Sequence, residues 1–113
     1  MAIQFEDVNE DFRRIVLSGR LDTAGSEEIA RQFADLTLSA KGIVVHLAEV
    51  RFLSSMAISM LVKGAKAAQG MGGRLALHVG ENEVVIRTLE ATGINELIPT
   101  FEDAQDAEKA VLK

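Results

Sequence analysis

The sequence predicts a single α/β domain over residues 1–113, with a mixed, mostly parallel sheet of about five strands and about four helices in the order ββαβαβαβα. Three observations carry this reading. Short apolar runs of strand character recur at residues 12–18, 43–47 and 74–79. Between them lie segments whose apolar residues repeat at helical spacing, Ile29, Phe33 and Leu36 in one and Ile58, Leu61, Val62, Ala65 and Ala68 in the next. Glycines and short polar stretches separate the two kinds of segment, with no linker, repeat or low-complexity tract.

Residues 2–8 are weakly strand-like, and Asn9, Glu10 and Asp11 form a turn into the strand of residues 12–18, which closes at Gly19. Two strands joined by so short a polar turn form an antiparallel hairpin. Thr23 is the expected cap of the first helix, with Ser26 competing, and Glu27 and Glu28 then fall in or near its first turn, where the dipole favours acids. The helix runs about three turns. Residues 43–47 are a continuous apolar run, the pattern of a strand buried on both faces. A tight loop at 48–53 leads to Ser54 and Ser55 and a second helix ending near Gln69, with Lys63 and Lys66 on its wet side and Gly70 as its C′ residue. The strand 74–79 follows, then a helix starting near residues 81–83 and stopping at Gly93. A brief strand at Leu97 and Ile98 precedes Pro99, and a helix over 101–112 has Glu102 and Asp103 at its front and Lys109 and Lys113 at its back.

Composition narrows the function. The hydrophobic share of 48% against 26% charged supports a real core, and a chain of this length buries roughly two-thirds of its unfolded surface, so no metal or disulfide staple is needed. Zero cysteines exclude disulfides, thiolate metal sites and cysteine nucleophiles. A net charge of −5 has the wrong sign for a phosphate-backbone binder, and no nucleic-acid partner is expected. No apolar run approaches the ~20 residues of a membrane span, and MAIQFEDVNEDF lacks the features of an export signal. The expected compartment is the cytoplasm, with no membrane partner.

In open α/β sheets, sites collect where strand ends meet helix starts. Three such junctions exist, at residues 21–26, 48–56 and 80–83, and only the second holds paired hydroxyls. Ser54 and Ser55 sit where the first free helical amides point outward, a place that accepts a phosphoryl group without unfolding the helix. Serine is equally a preferred N-cap, so the spacing alone leaves capping and modification both open. The cluster Gly70, Met71, Gly72, Gly73 follows a helix and precedes a strand, the wrong order for a dinucleotide loop. His46 and His78, with Glu49, suggest a metal or phosphohistidine centre, but without a fixed motif the plainer reading is hydrogen-bonded strand histidines. Met56, Met60 and Met71 flank the second helix, as core filler or as an adaptable protein contact. Arg13, Arg14 and Arg51 read as solvated edge charges. No nucleophile–base–orienter set is visible, so neither an enzyme nor a cofactor or metal is expected.

The run IVVHLAEVRFLSSMAISMLVKGAKAAQGMGGRLALHV resembles the heart of STAS domains, the anti-sigma factor antagonist family. The likeness extends over nearly the whole chain through GRLDTAGSEEI and LEATGINELIPTFEDAQDA. It implies an anti-sigma factor antagonist whose unphosphorylated form binds a serine kinase of histidine-kinase-like ATPase fold, the anti-sigma factor. Phosphorylation at the start of helix two releases it, and a serine phosphatase resets the switch. Where the family pattern has aspartate, serine, serine and glycine, this chain has Ser54, Ser55, Met56 and Ala57, and His46 stands where an acid is common. Ser55 matches the hydroxyl directly after the aspartate, the one used in a branch similar to stressosome scaffold subunits. It is therefore the expected acceptor, with Ser54 second. The implied partner surface comprises Asp22, Thr23, Arg51, Phe52, Ser54, Ser55, Met56 and Ser59, on a monomer or weak homodimer. The alternatives are a stressosome-like scaffold subunit, a small-ligand or nucleotide sensor using the strand-end pocket, and a phosphocarrier using His46.

Overall fold

The structure, a computed structural model, describes residues 3–112. Its strands are β1 (Ile3–Asn9), β2 (Phe12–Leu21), β3 (Gly42–Leu53), β4 (Arg74–His78) and β5 (Thr100–Phe101). Its helices are α1 (Thr23–Thr37), α2 (Ser55–Gly70), α3 (Glu83–Thr92), the four-residue α4 (Ile94–Leu97) and α5 (Ala104–Val111). Strand order in the sheet follows chain order, β1-β2-β3-β4-β5. The hairpin pairs β1 antiparallel to β2, and every later pairing is parallel.

Alternation along β3 explains the layering. Ile43, Val45 and Leu47 enter the larger core, with Ile15, Leu17, Leu75 and Leu77 from neighbouring strands and Phe33, Leu61, Val85 and Leu89 from α1, α2 and α3. Val44 points the other way and joins Phe12, Ala76, Ala107 and Val111 beneath α5. Helices thus cover both faces, which is why the 43–47 run is apolar without a polar alternate until His46. Among the described residues no helix is long and apolar enough to cross a membrane, and no buried side-chain nitrogen or oxygen lacks a hydrogen-bond partner.

Several boundaries differ from the sequence expectation. β2 does not stop before Gly19 but continues to Leu21, and residues 48–53 are strand rather than loop. Between the pairs Val16–His46 and Leu21–Leu53 the register shifts twice, so β3 carries bulges there. Burial in this stretch falls on Leu47, Val50 and Leu53, every third residue, and the period of two that marks a strand is lost. Asp22, not Thr23 or Ser26, caps α1, its carboxylate accepting from the Gly25 amide at 2.8 Å, and Glu27 and Glu28 lie beyond the first turn. At the end of α2, Gly70 is still helical; the left-handed residue is Gly72, at φ +80°. Residues 94–97 are a helical turn, with the last strand after Pro99 instead of before it. α5 begins at Ala104 because Asp103 caps it, accepting from Gln105 and Asp106 amides. Ala2 and Lys113, assigned above to the first strand and last helix, lie outside the described residues.

Arg13 and Arg14 of β2 are not solvated edge charges. The Arg13 side chain, 11% exposed, is held by Asp7, the Leu36 carbonyl and Ser39, and it keeps the Asp7 carboxyl below the usual carboxylate range. Arg14, on the opposite face, pairs with Glu108 of α5 and Glu6 of β1, and these carboxylates raise its pKa further.

Candidate functional site

The parallel strands β2 and β3 end side by side at Leu21 and Leu53, so α1 and α2 start as neighbours. Ser54 has extended backbone (φ −80°, ψ 170°) and caps α2, its hydroxyl accepting from the Ala57 amide at 3.2 Å. Its own amide donates to the Leu21 carbonyl at 2.9 Å. That carbonyl also accepts from the buried Ser26 hydroxyl at 3.2 Å, and the Ser26 and Ser54 hydroxyls stand 3.4 Å apart. The first turns of the two helices are therefore tied to one another through Leu21.

Ser55 is the first residue of α2, exposed, and among the described residues its hydroxyl has no partner. The amides of Ser55 and Met56 occupy the first helical positions, where no intrahelical acceptor exists. The two serines are thus chemically unlike. Ser54 is half-buried and engaged in capping, whereas Ser55 is open to solvent beside amides that favour an anion. The exposed Thr23 and half-buried Asp22 lie at the adjacent α1 start.

Phe52 is 39% exposed, with the Arg20 guanidinium 4.9 Å from its ring centroid. Arg51 falls in a β3 bulge and lines a shallow depression with Arg20, Glu28 and Glu49. Met56, half-buried, and Ser59, exposed, face a groove between α1 and α2. Asn82 was not singled out by the sequence. Its amide nitrogen reaches the carbonyls of Leu47 (3.2 Å), Ala48 (3.0 Å) and Val50 (2.6 Å), while its Oδ1 caps α3 by accepting from Val85. It clamps the bulged end of β3. Its only signal in the sequence is its place at the expected start of the third helix.

The histidines do meet, as the crossover demands. His46 and His78 are register partners with Nδ1 atoms 2.9 Å apart and rings edge-on at 4.9 Å. Burial, then the neighbouring His78 and Arg14, push the His46 pKa below its ordinary value, against an upward pull from Glu108. Glu49 is exposed and lines the Arg51 depression. Among the described residues no group of three or more His, Cys, Asp or Glu is placed to hold a metal ion.

Comparison with known proteins agrees with this architecture. The fold is that of an anti-sigma factor antagonist (STAS) domain protein from Planctomyces limnophilus, at 26% identity and TM-score 0.83, covering 98% of each chain. An anti-sigma factor antagonist from Mycobacterium paratuberculosis matches at 20% identity and TM-score 0.81, over 98% of this chain and 93% of the other. The phosphorylated form of the Bacillus cell fate determinant SpoIIAA matches at 18% identity and TM-score 0.69, over 94% and 96%. None of the curated proteins matches the chain. The family model of the STAS domain matches residues 6–107, and with that coverage the chain belongs to the STAS domain family.

Proposed function

We propose that this chain is an anti-sigma factor antagonist acting by partner switching, with Ser55 as the phosphate acceptor. One observation carries the choice of residue: Ser55 is exposed and its hydroxyl has no partner among the described residues, while Ser54 is occupied as the α2 cap. The unphosphorylated protein binds a serine kinase of histidine-kinase-like ATPase fold through a surface centred on Ser55 and Met56. The α1 start at Asp22 and Thr23, the bulged strand end at Arg51 and Phe52, and Ser54 and Ser59 form its surroundings. A serine phosphatase restores the unphosphorylated form.

The chemistry of the helix start suits such a switch. A phosphate adds about −1.5 to −2 charges. At the first residue of α2 that charge meets unpaired amides and the positive end of the helix dipole, so the domain keeps its shape. Against a partner, the same charge must be desolvated beside the apolar Met56 contact, and binding is lost. The switch thus lies in the interface rather than in a refolding of the domain.

The test is intact mass after incubation with ATP and the histidine-kinase-like ATPase encoded nearest to this gene, for wild type, Ser55→Ala and Ser54→Ala. One phosphate on wild type and Ser54→Ala, absent from Ser55→Ala, is the expected result. Phosphate retained on Ser55→Ala overturns the assignment of the acceptor. A stable complex with no phosphate on any form overturns the switch and leaves a constitutive adaptor.

A further inference from the structure

His46 and His78 form the last rung of the β3–β4 ladder, two residues beyond the pair Val44 and Ala76. By strand alternation their rings lie on the sheet face that α5 covers, apart from the helix starts at Asp22 and Ser54. The two Nδ1 atoms are 2.9 Å apart, with the rings edge-on at 75°. A contact of that length holds a single proton, so one Nδ1 donates and the other offers its lone pair. Among the described residues neither Nε2 has a hydrogen-bond partner, and no buried side-chain nitrogen lacks one, so both Nε2 atoms reach solvent. The charged groups acting on His46 are Arg14 and Glu108, which are joined at 3.1 Å, and Glu6 also holds Arg14. The pair therefore faces no uncompensated cation.

Two imidazole nitrogens at this separation suit one metal geometry above another. With metal–imidazole bonds of about 2.0–2.1 Å, ligands at right angles stand about 2.8–3.0 Å apart, and tetrahedral ones about 3.3–3.4 Å. Right angles are the geometry of divalent copper and nickel among nitrogen and oxygen donors, and copper binds such donors more tightly. We propose that His46 and His78 bind one divalent copper ion through their Nδ1 atoms, in adjacent positions of a tetragonal site completed by water. The β3–β4 ladder already sets the spacing, so each ring need only turn until its lone pair aims at a shared point. The Nδ1 proton passes through solvent to the Nε2 of its own ring, so two neutral imidazoles ligate and no net proton is released. With no third histidine or acid grouped with them among the described residues, the remaining positions fall to water. Nothing in this proposal depends on phosphorylation or on the kinase.

Titration of the protein with copper(II), followed by electron paramagnetic resonance and amide NMR, tests it. The expected result is one bound equivalent with a tetragonal spectrum split by two nitrogens. Paramagnetic broadening should reach the amides of residues 45–47 and 77–79 before those of any other segment. His46→Gln and His78→Gln should each weaken binding at least tenfold, with far-UV circular dichroism unchanged. A wild type whose copper signal stays that of the aqueous ion overturns the proposal, as does equal binding by wild type and both variants. Broadening centred on another segment of the wild type overturns it even where a variant fails to fold.

Discussion

The hydroxyls of Ser26 and Ser54 stand 3.4 Å apart, one buried in the first turn of α1 and the other capping α2. Both residues also bond the Leu21 carbonyl, so a single backbone oxygen organises two helix starts. Removing either hydroxyl leaves the other with fewer partners in a part-buried place, where polar groups are costly to strand.

Ser54→Ala should therefore cost about 1 kcal/mol or somewhat more, as the loss of an N-cap does. Ser55→Ala, which removes an exposed hydroxyl with no partner among the described residues, should stay within about 0.5 kcal/mol of wild type. Urea titrations followed by far-UV circular dichroism separate the two. Equal midpoints for both variants would contradict the division of labour between the serines.

Binding should divide them in the opposite sense. Ser55→Asp is expected to weaken the complex with the kinase at least tenfold while Ser55→Ala leaves it within threefold, measured by calorimetry. An aspartate that binds as tightly as wild type would show that charge at this position does not disrupt the interface.

Acid should weaken the fold through His46. Its folded pKa lies below the ordinary value of 6.5, chiefly because the ring is partly buried and then because His78 and Arg14 face it, with Glu108 opposing. Above about pH 6.5 both folded and unfolded forms are neutral and there is no penalty. As the pH falls below that, the unfolded chain takes up a proton that the folded one resists, so stability declines until the folded pKa is passed. Denaturation midpoints between pH 7.5 and 5 should fall for wild type and fall less for His46→Gln. An identical slope in the variant would assign the effect to other groups.

Asn82→Ala should be the more damaging of two changes at that position. It removes the donors to three β3 carbonyls and the α3 cap together, for an expected loss of about 2 kcal/mol. Asn82→Asp keeps a cap oxygen but sets a carboxylate against carbonyl oxygens, and it should also destabilise. Faster hydrogen exchange in residues 47–53 of both variants would locate the damage in the bulged strand end. Unchanged protection there would mean that the clamp is unimportant.

Wherever side chains keep a regular period, the fold can be read from the residues. Ile29, Phe33 and Leu36 mark the buried face of α1, and the 43–47 run marks the central strand. The reading fails where backbone geometry breaks the period. The bulges in β3 spread burial to every third residue, so LAEVRFL has no strand signature. The α1 cap was misassigned because Asp22, Thr23 and Ser26 all have the chemistry to cap, and only the backbone decides among them. At the candidate site, Ser54 and Ser55 were visible as a pair, but the difference between them was not. Which serine caps depends on where β3 ends, and that was the boundary hidden by the bulges. Asn82 escaped notice because its donors serve carbonyls more than thirty residues away.

The sheet's sequential strand order bears on how the chain assembles. Each parallel strand pairs with the strand before it, so a chain emerging from its N-terminus adds every strand to an edge already made. The helix starts at Asp22 and Ser54 need nothing later than α2 to come together. The smaller core is different. Among the described residues, Phe12, Val44 and Ala76 find their cover in Ala107 and Val111 of α5, with Phe101 packed beside them, and α5 follows every strand of the sheet. The paired helix starts can form early, while the opposite face of the sheet stays uncovered until α5 has been made. Closure of that face by α5 is the step that completes the second core of this domain.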